Sequence, residues 1–149
     1  MKIIVDTNIV FSGLLNSTSA ISKFLIYPNS QFQFYTCEFL RVEILKHRKK
    51  LLKLTNLSEG ELNELWLLVT GNITFINEGL IPEKLLVKTS ELLRSIDPND
   101  TPFVALAKHL GGVLWTGDLH LYNGLKSKRF KEVITTQELS IISESIEKQ

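Results

Sequence analysis

Asp100 and Asp118 stand eighteen residues apart, and the stretch Phe103–Trp115 between them is almost wholly apolar. Asp6 closes the apolar run Ile3–Ile4–Val5 at the start of the chain. An acid at the end of each of two hydrophobic strands, with a third at a helix start, is a costly arrangement. Like charges brought together repel and raise one another's pKa unless something cationic sits between them. A divalent metal held by oxygen ligands is the usual solution. The pattern reads as a metal-dependent enzyme.

Glu43 strengthens it. Four residues after Phe39 and three after Leu40, it shares their helical face at the edge of the apolar stripe. A carboxylate turned inward needs a partner. Each acid also has a plainer explanation. Asp6 in Val-Asp-Thr-Asn can cap a following helix or turn, and Asp100 before Thr-Pro looks like an N-cap. Capping leaves a carboxylate with spare lone pairs, so it does not preclude ligation. Glu38 suits the first turn of its helix and is read as structural. Asp97 starts the Asp-Pro-Asn-Asp turn, with contact to the site as its second reading. Before Asp118, Gly117 lets the backbone turn sharply, and Thr116 is placed to hydrogen-bond a ligating carboxylate. His120 is a candidate ligand, although a lone loop histidine is more often not one. His47 and His109 lack a companion three or four residues on, which gives zinc no support.

These residues need elements to position them. Lys2–Val5 reads as a buried strand. Ser17–Ser19 offers caps for a helix carrying Ile21, Phe24 and Leu25 and stopping before Pro28. Phe32, Phe34 and Tyr35 suggest a second strand, and the pattern from Cys37 to about Leu54 is helical. Ser58 and Glu61 form a capping box ahead of Leu62, Leu65, Trp66 and Val69, with Gly71 as the stop. Ile73–Ile76 is a third strand, and Pro82 opens a helix running to Ile96. A helix from Asp100 ends at Gly111–Gly112. Val113–Trp115 and Val133–Ile134 are strands four and five, and the tail from Thr136 is helical. Strands alternating with helices imply an α/β sandwich of three layers around a mostly parallel sheet of four to five strands. Ligands of such sheets lie beyond the strands' carboxyl ends, where Asp6 and Asp118 fall.

The 149 residues suit one domain, spanning 1–149, with no need of staples. The lone Cys37 excludes an intrachain disulfide and a multi-cysteine metal cage. No apolar run reaches the roughly 20 residues of a membrane helix, and the expectation is a soluble, cytoplasmic protein. Seventeen basic and sixteen acidic residues give a net charge of +1, which argues against a general nucleic-acid coat. The basic residues are nonetheless unevenly placed, in Lys46–Lys50 with Lys53, and in Lys126, Lys128, Arg129 and Lys131. P-loop, dinucleotide and hydrolase-elbow motifs are missing.

On these residues the sequence resembles the PIN domain family of metal-dependent nucleases, especially the branch of toxins from toxin–antitoxin pairs. Ile3-Ile4-Val5-Asp6-Thr7-Asn8 looks like the family's opening strand and first acid. Glu43 in its helix stands at the second acid. Asp97 to Ala107 looks like the third acid, Asp100, and its helix. Leu114-Trp115-Thr116-Gly117-Asp118 looks like the fourth strand and fourth acid. The resemblance implies one or two Mg²⁺ or Mn²⁺ ions held by Asp6, Glu43, Asp100 and Asp118, with Asn8 and Thr116 supporting the ligands. It also implies hydrolysis of RNA to 5′-phosphate and 3′-hydroxyl ends, a small antitoxin partner and a homodimer. His120 departs from the pattern, since many relatives carry a further acid there, and that bears on the second ion alone.

An acidic pocket repels phosphate, so its rim should be basic. Lys46, Lys49, Lys50 and Lys53 are the candidates for RNA binding, with Lys126 and Lys128 as a second bank. A solvated helix face is the plain alternative. The rival functional reading is a non-catalytic RNA- or protein-binding module of the same fold, its acids serving only as caps. A phosphotransfer domain fits less well, because Asn8 stands where Asp-x-Asp is wanted and no acid pair precedes Asp6.

Overall fold

A computed structural model describes residues 1–149. Five parallel strands form one sheet: β1 (Lys2–Val5), β2 (Gln33–Cys37), β3 (Ile73–Ile76), β4 (Val113–Trp115) and β5 (Val133–Ile134). Their spatial order is β3-β2-β1-β4-β5. Buried parallel strands read as unbroken apolar runs, and Ile3, Ile4 and Val5 of β1 have no exposed surface.

Nine helices cover the sheet: α1 (Thr7–Leu15), α2 (Ala20–Ile26), α3 (Phe39–Lys46), α4 (Arg48–Thr55), α5 (Glu59–Thr70), α6 (Glu83–Leu92), α7 (Thr101–Leu110), α8 (Leu119–Ser127) and α9 (Thr136–Glu147). The chain runs outward from β1 to β3, then returns across the sheet to β4. Right-handed crossovers therefore place the helices before β3 on one face and those after it on the other. On the first face Phe24 of α2 meets Trp115, which lies beside Phe34 of β2. On the second, α7 packs on β1, β2 and β4. The result is the expected three-layer α/β/α sandwich. No single helix is long and apolar enough to cross a membrane.

The reversal makes β1 the switch point, with β2 on one side and β4 on the other. Val5 pairs with Trp115, and the Asp6 N–H donates to the Trp115 carbonyl at 3.1 Å. The residues following β1 and β4, Asp6 and Thr116, are thus held side by side at the carboxyl edge.

Three elements differ from expectation. α1 follows β1 at once, because Asp6 takes the extended conformation of an N-cap and accepts from the Thr7 N–H. The β-branched Ile9 and Val10 favour a strand locally, and packing against α2 and α5 overrides that preference. The helix expected over Cys37–Leu54 is two helices, since Cys37 ends β2 and His47 breaks the run at φ −101°, ψ 8°. The run Lys46–Lys50 places like charges three and four residues apart, which weakens a continuous helix there. Finally, α8 was not foreseen, although Leu121 and Leu125 lie four residues apart on its buried face.

Candidate functional site

Asp6 is 2% exposed, and every bond to its carboxylate comes from a neighbour at the same sheet edge. Oδ1 accepts from the Thr7 N–H at 2.8 Å. Oδ2 accepts from the Asn8 amide at 3.0 Å and the Thr116 hydroxyl at 2.7 Å. Asn8 is fixed in turn: its amide also donates to Thr116 Oγ1 at 3.2 Å, and its Oδ1 accepts from the Gly117 N–H at 2.7 Å. Thr116 Oγ1 also accepts from the Asp118 N–H at 3.1 Å. Asn8 and Thr116 therefore lock the first acid and tie the turn after β1 to the turn after β4.

Glu43 reaches the same place from α3, where its Oε1 accepts from the Thr7 hydroxyl at 2.6 Å. Thr7 thus binds two of the acids, Asp6 through its N–H and Glu43 through its side chain. Sequence reasoning passed over Thr7, and its place between Asp6 and Asn8 was the available signal. Asp118 caps α8, its Oδ1 accepting from the His120 and Leu121 N–H groups at 2.9 and 3.2 Å.

Asp100 behaves differently. It looked like the cap of α7, yet its side chain makes no capping bond. N-cap residues take extended dihedrals, whereas Asp100 sits at φ −83°, ψ −1° because the 3₁₀ turn Pro98–Asp100 has already wound the chain. Asp97 caps that turn, accepting from the Asn99 N–H at 3.0 Å, as its position suggested. Asp100 Oδ2 is left as the one buried side-chain polar atom in the molecule with no hydrogen-bond partner.

The electrostatics agree with that geometry. Burial and the surrounding charges of Asp6, Asp97, Asp118 and Glu43 push Asp100 up from 3.8 to about 8. Burial raises Asp6 to about 6 against the lowering bonds from Thr116 and Thr7, and the Glu43 charge adds to the rise. The only ion pair in the protein joins Arg41 to Glu38 at 2.8 Å, so no basic side chain neutralises the acids.

An unpartnered buried carboxylate oxygen beside three further carboxylates suits a hard divalent cation, which takes oxygen ligands. The donors form a loose group rather than a closed cage, since no three acidic, histidine or cysteine side chains converge on one point. Drawing them onto an ion calls for side-chain movement from the arrangement seen.

Asp6, Glu43 and Asp100 open onto one cavity of about 280 Å³, lined also by Thr7, Asn8, Phe11, His47 and Lys50. Asp118 stands outside its wall, although its charge is felt at Asp100. Of the basic candidates, Lys50 alone lines the cavity. Lys46, Lys49 and Lys53 are exposed but do not. The Lys128 ammonium donates to the Leu92 carbonyl at 2.7 Å and to Ser95 Oγ at 2.8 Å, tying the end of α8 to the end of α6. Lys126 lies over the Tyr122 ring at 5.4 Å. His120 is exposed in the first turn of α8 and does not line the cavity. Phe11 and His47 had not been read as site residues. His47 lies four residues after Glu43, and that spacing was the available signal.

Residues 4–140 match a family model described as PIN domain. Among solved structures, the fold is similar to that of a chain in the crystal structure of VapBC2 from Rickettsia felis bound to a DNA fragment from their promoter. The TM-score is 0.66 at 14% identity, covering 91% of this chain and 97% of that one. At this identity the likeness is one of fold. No curated protein matches the sequence.

Proposed function

This chain belongs to the PIN domain family, and from that premise we propose that it is a metal-dependent endoribonuclease, hydrolysing RNA phosphodiester bonds as the toxin of a toxin–antitoxin pair. The observation that carries the reading is Asp100 Oδ2, buried and unpartnered among acids that no basic side chain neutralises. Were the acids only caps, Asp100 would be turned to the backbone as Asp6 and Asp118 are.

Asp6, Glu43, Asp100 and Asp118 are the ligands in this reading, for Mg²⁺ or Mn²⁺. A bound ion would acidify a water and offset charge growing on the phosphoryl oxygens. The protein's own part is positioning. Thr116 and Asn8 fix Asp6, and Thr7 fixes the Glu43 carboxylate. One of the carboxylates, in its ionised form, takes the proton of the attacking water. The water oxygen bonds to phosphorus, the bond to the 3′-oxygen breaks, and the departing 3′-oxygen takes up a proton from solvent water. The ends are a 5′-phosphate and a 3′-hydroxyl.

The fold likeness to a VapBC2 chain supports a small antitoxin as partner. Leu45 of α3 and Leu67 and Leu68 of α5 are 69%, 68% and 57% exposed, apolar surface that an antitoxin or a second copy in a homodimer would cover. We read residues 1–149 as one cytoplasmic PIN-like domain.

The test is cleavage of single-stranded RNA by the purified protein in Mg²⁺ and in EDTA, beside a Glu43→Gln variant. Cleavage is expected only with the metal, and Glu43→Gln should reduce it at least a hundredfold. Metal-independent cutting, or equal cutting by the variant, would sink the reading.

A further inference from the structure

Resting on the nuclease reading, we propose that Phe11, His47 and Lys50 form a nucleotide subsite beside the acids. Lys50 takes the phosphate next to the scissile one, and the His47–Phe11 pair stacks the flanking base of a single-stranded RNA.

The cavity lining holds two unlike groups, the acids Asp6, Glu43 and Asp100 and the basic–aromatic set Phe11, His47 and Lys50. Glu43, His47 and Lys50 are spaced i, i+4, i+7, the repeat of one helical face. The helix breaks at His47, yet all three side chains line the one cavity, so the second acid and the basic–aromatic group border the same space. Phe11 rises from α1 as the common support. Its ring meets the His47 imidazole edge-on, with centroids 5.9 Å apart and planes at 77°. The Lys50 ammonium lies 5.8 Å from the Phe11 centroid.

Phe11 is half-buried, whereas His47 and Lys50 are exposed and belong to no ion pair. An exposed cation over a ring is held weakly, by about 0.5–1 kcal/mol, so a phosphate can draw Lys50 away. Lys50 is the cavity's one lysine or arginine, in a place where the acids repel a polyanion. A ring stacked on a base beside a cation on the backbone is how single strands are gripped. A duplex keeps its bases stacked inside and offers none to His47.

The experiment uses the full chain with a short RNA, single-stranded and as a duplex, and the variants His47→Ala, His47→Trp and Lys50→Gln. Mn²⁺ binding without RNA is measured by calorimetry in parallel. His47→Ala should raise KM roughly tenfold, the loss of one base stack, with kcat nearly unchanged. His47→Trp should restore KM. Lys50→Gln should raise KM and lower the slope of log KM against log salt by about 0.7, one phosphate contact on a single strand. Mn²⁺ affinity and melting temperature should hold in all three, and the duplex should be cut poorly. An unchanged KM in both His47→Ala and Lys50→Gln, while the wild type binds Mn²⁺ and cuts, overturns the subsite and leaves the nuclease reading standing. Lost Mn²⁺ affinity in these variants also overturns it, by placing the residues among the ligands. A wild type that neither binds Mn²⁺ nor cuts RNA overturns both readings.

Discussion

Asp100 holds its proton to about pH 8 and Asp6 to about 6, against 3.8 for an ordinary aspartate. Between about pH 4 and 8 the folded state therefore binds more protons than the unfolded chain. Stability without a cation is greatest below that window and falls as pH rises through it. Urea unfolding in EDTA at pH 5 and pH 8 should show the wild type weaker at pH 8. Asp100→Asn should flatten that slope, stabilise the protein at pH 8 by on the order of 1 kcal/mol, and lose Mn²⁺ affinity. Equal wild-type stability at the two pH values would mean that the carboxylates ionise without mutual cost. That Asp6, Glu43 and Asp100 would lie near one another was legible, because each ends a strand, starts a helix or edges an apolar stripe. The exception is what Asp100 does. A cap and a free carboxylate look alike in Asp-Thr-Pro, and only the winding of the preceding turn separates them.

The β1–β4 pairing holds Asp6 against Thr116, and Gly112 lets the strands come that close. A Cβ there would lie 2.6 Å from Ile4 Cδ1 and 2.8 Å from the Lys2 carbonyl oxygen. The isoleucine can turn, but the backbone cannot. Gly112→Ala should cost about 1–3 kcal/mol, read as a fall in melting temperature of several degrees with a matching fall in RNA cleavage. An unchanged melting temperature would show that the strands have slack. Elements with written ends were easily read. The Ser58–Glu61 capping box forms as expected, and Gly111 ends α7 at φ +67°. α1 was obscured because its apolar, β-branched start continues the pattern of β1, so tertiary packing rather than local preference decides it. The break at His47 was hidden for a related reason, since Glu43, His47 and Lys50 keep helical spacing across it.

At the scale of the molecule, the strand order explains why residues from all parts of the chain meet. β1 lies at the switch point, α3 brings Glu43 from one direction, and the return of the chain to β4 brings Asp100 and Asp118 from the other. The near-neutral net charge of +1 conceals a group of acids and a basic–aromatic group lining one cavity. The central claim is that this acid group holds a divalent cation. Anomalous diffraction from crystals grown with Mn²⁺ tests it most directly. A strong peak is expected among Asp6, Glu43, Asp100 and Asp118, with Asp100 Oδ2 bonded to the ion. The absence of a peak there, at a Mn²⁺ concentration that supports RNA cleavage, would contradict it, as would an ion that leaves Asp100 Oδ2 without a partner.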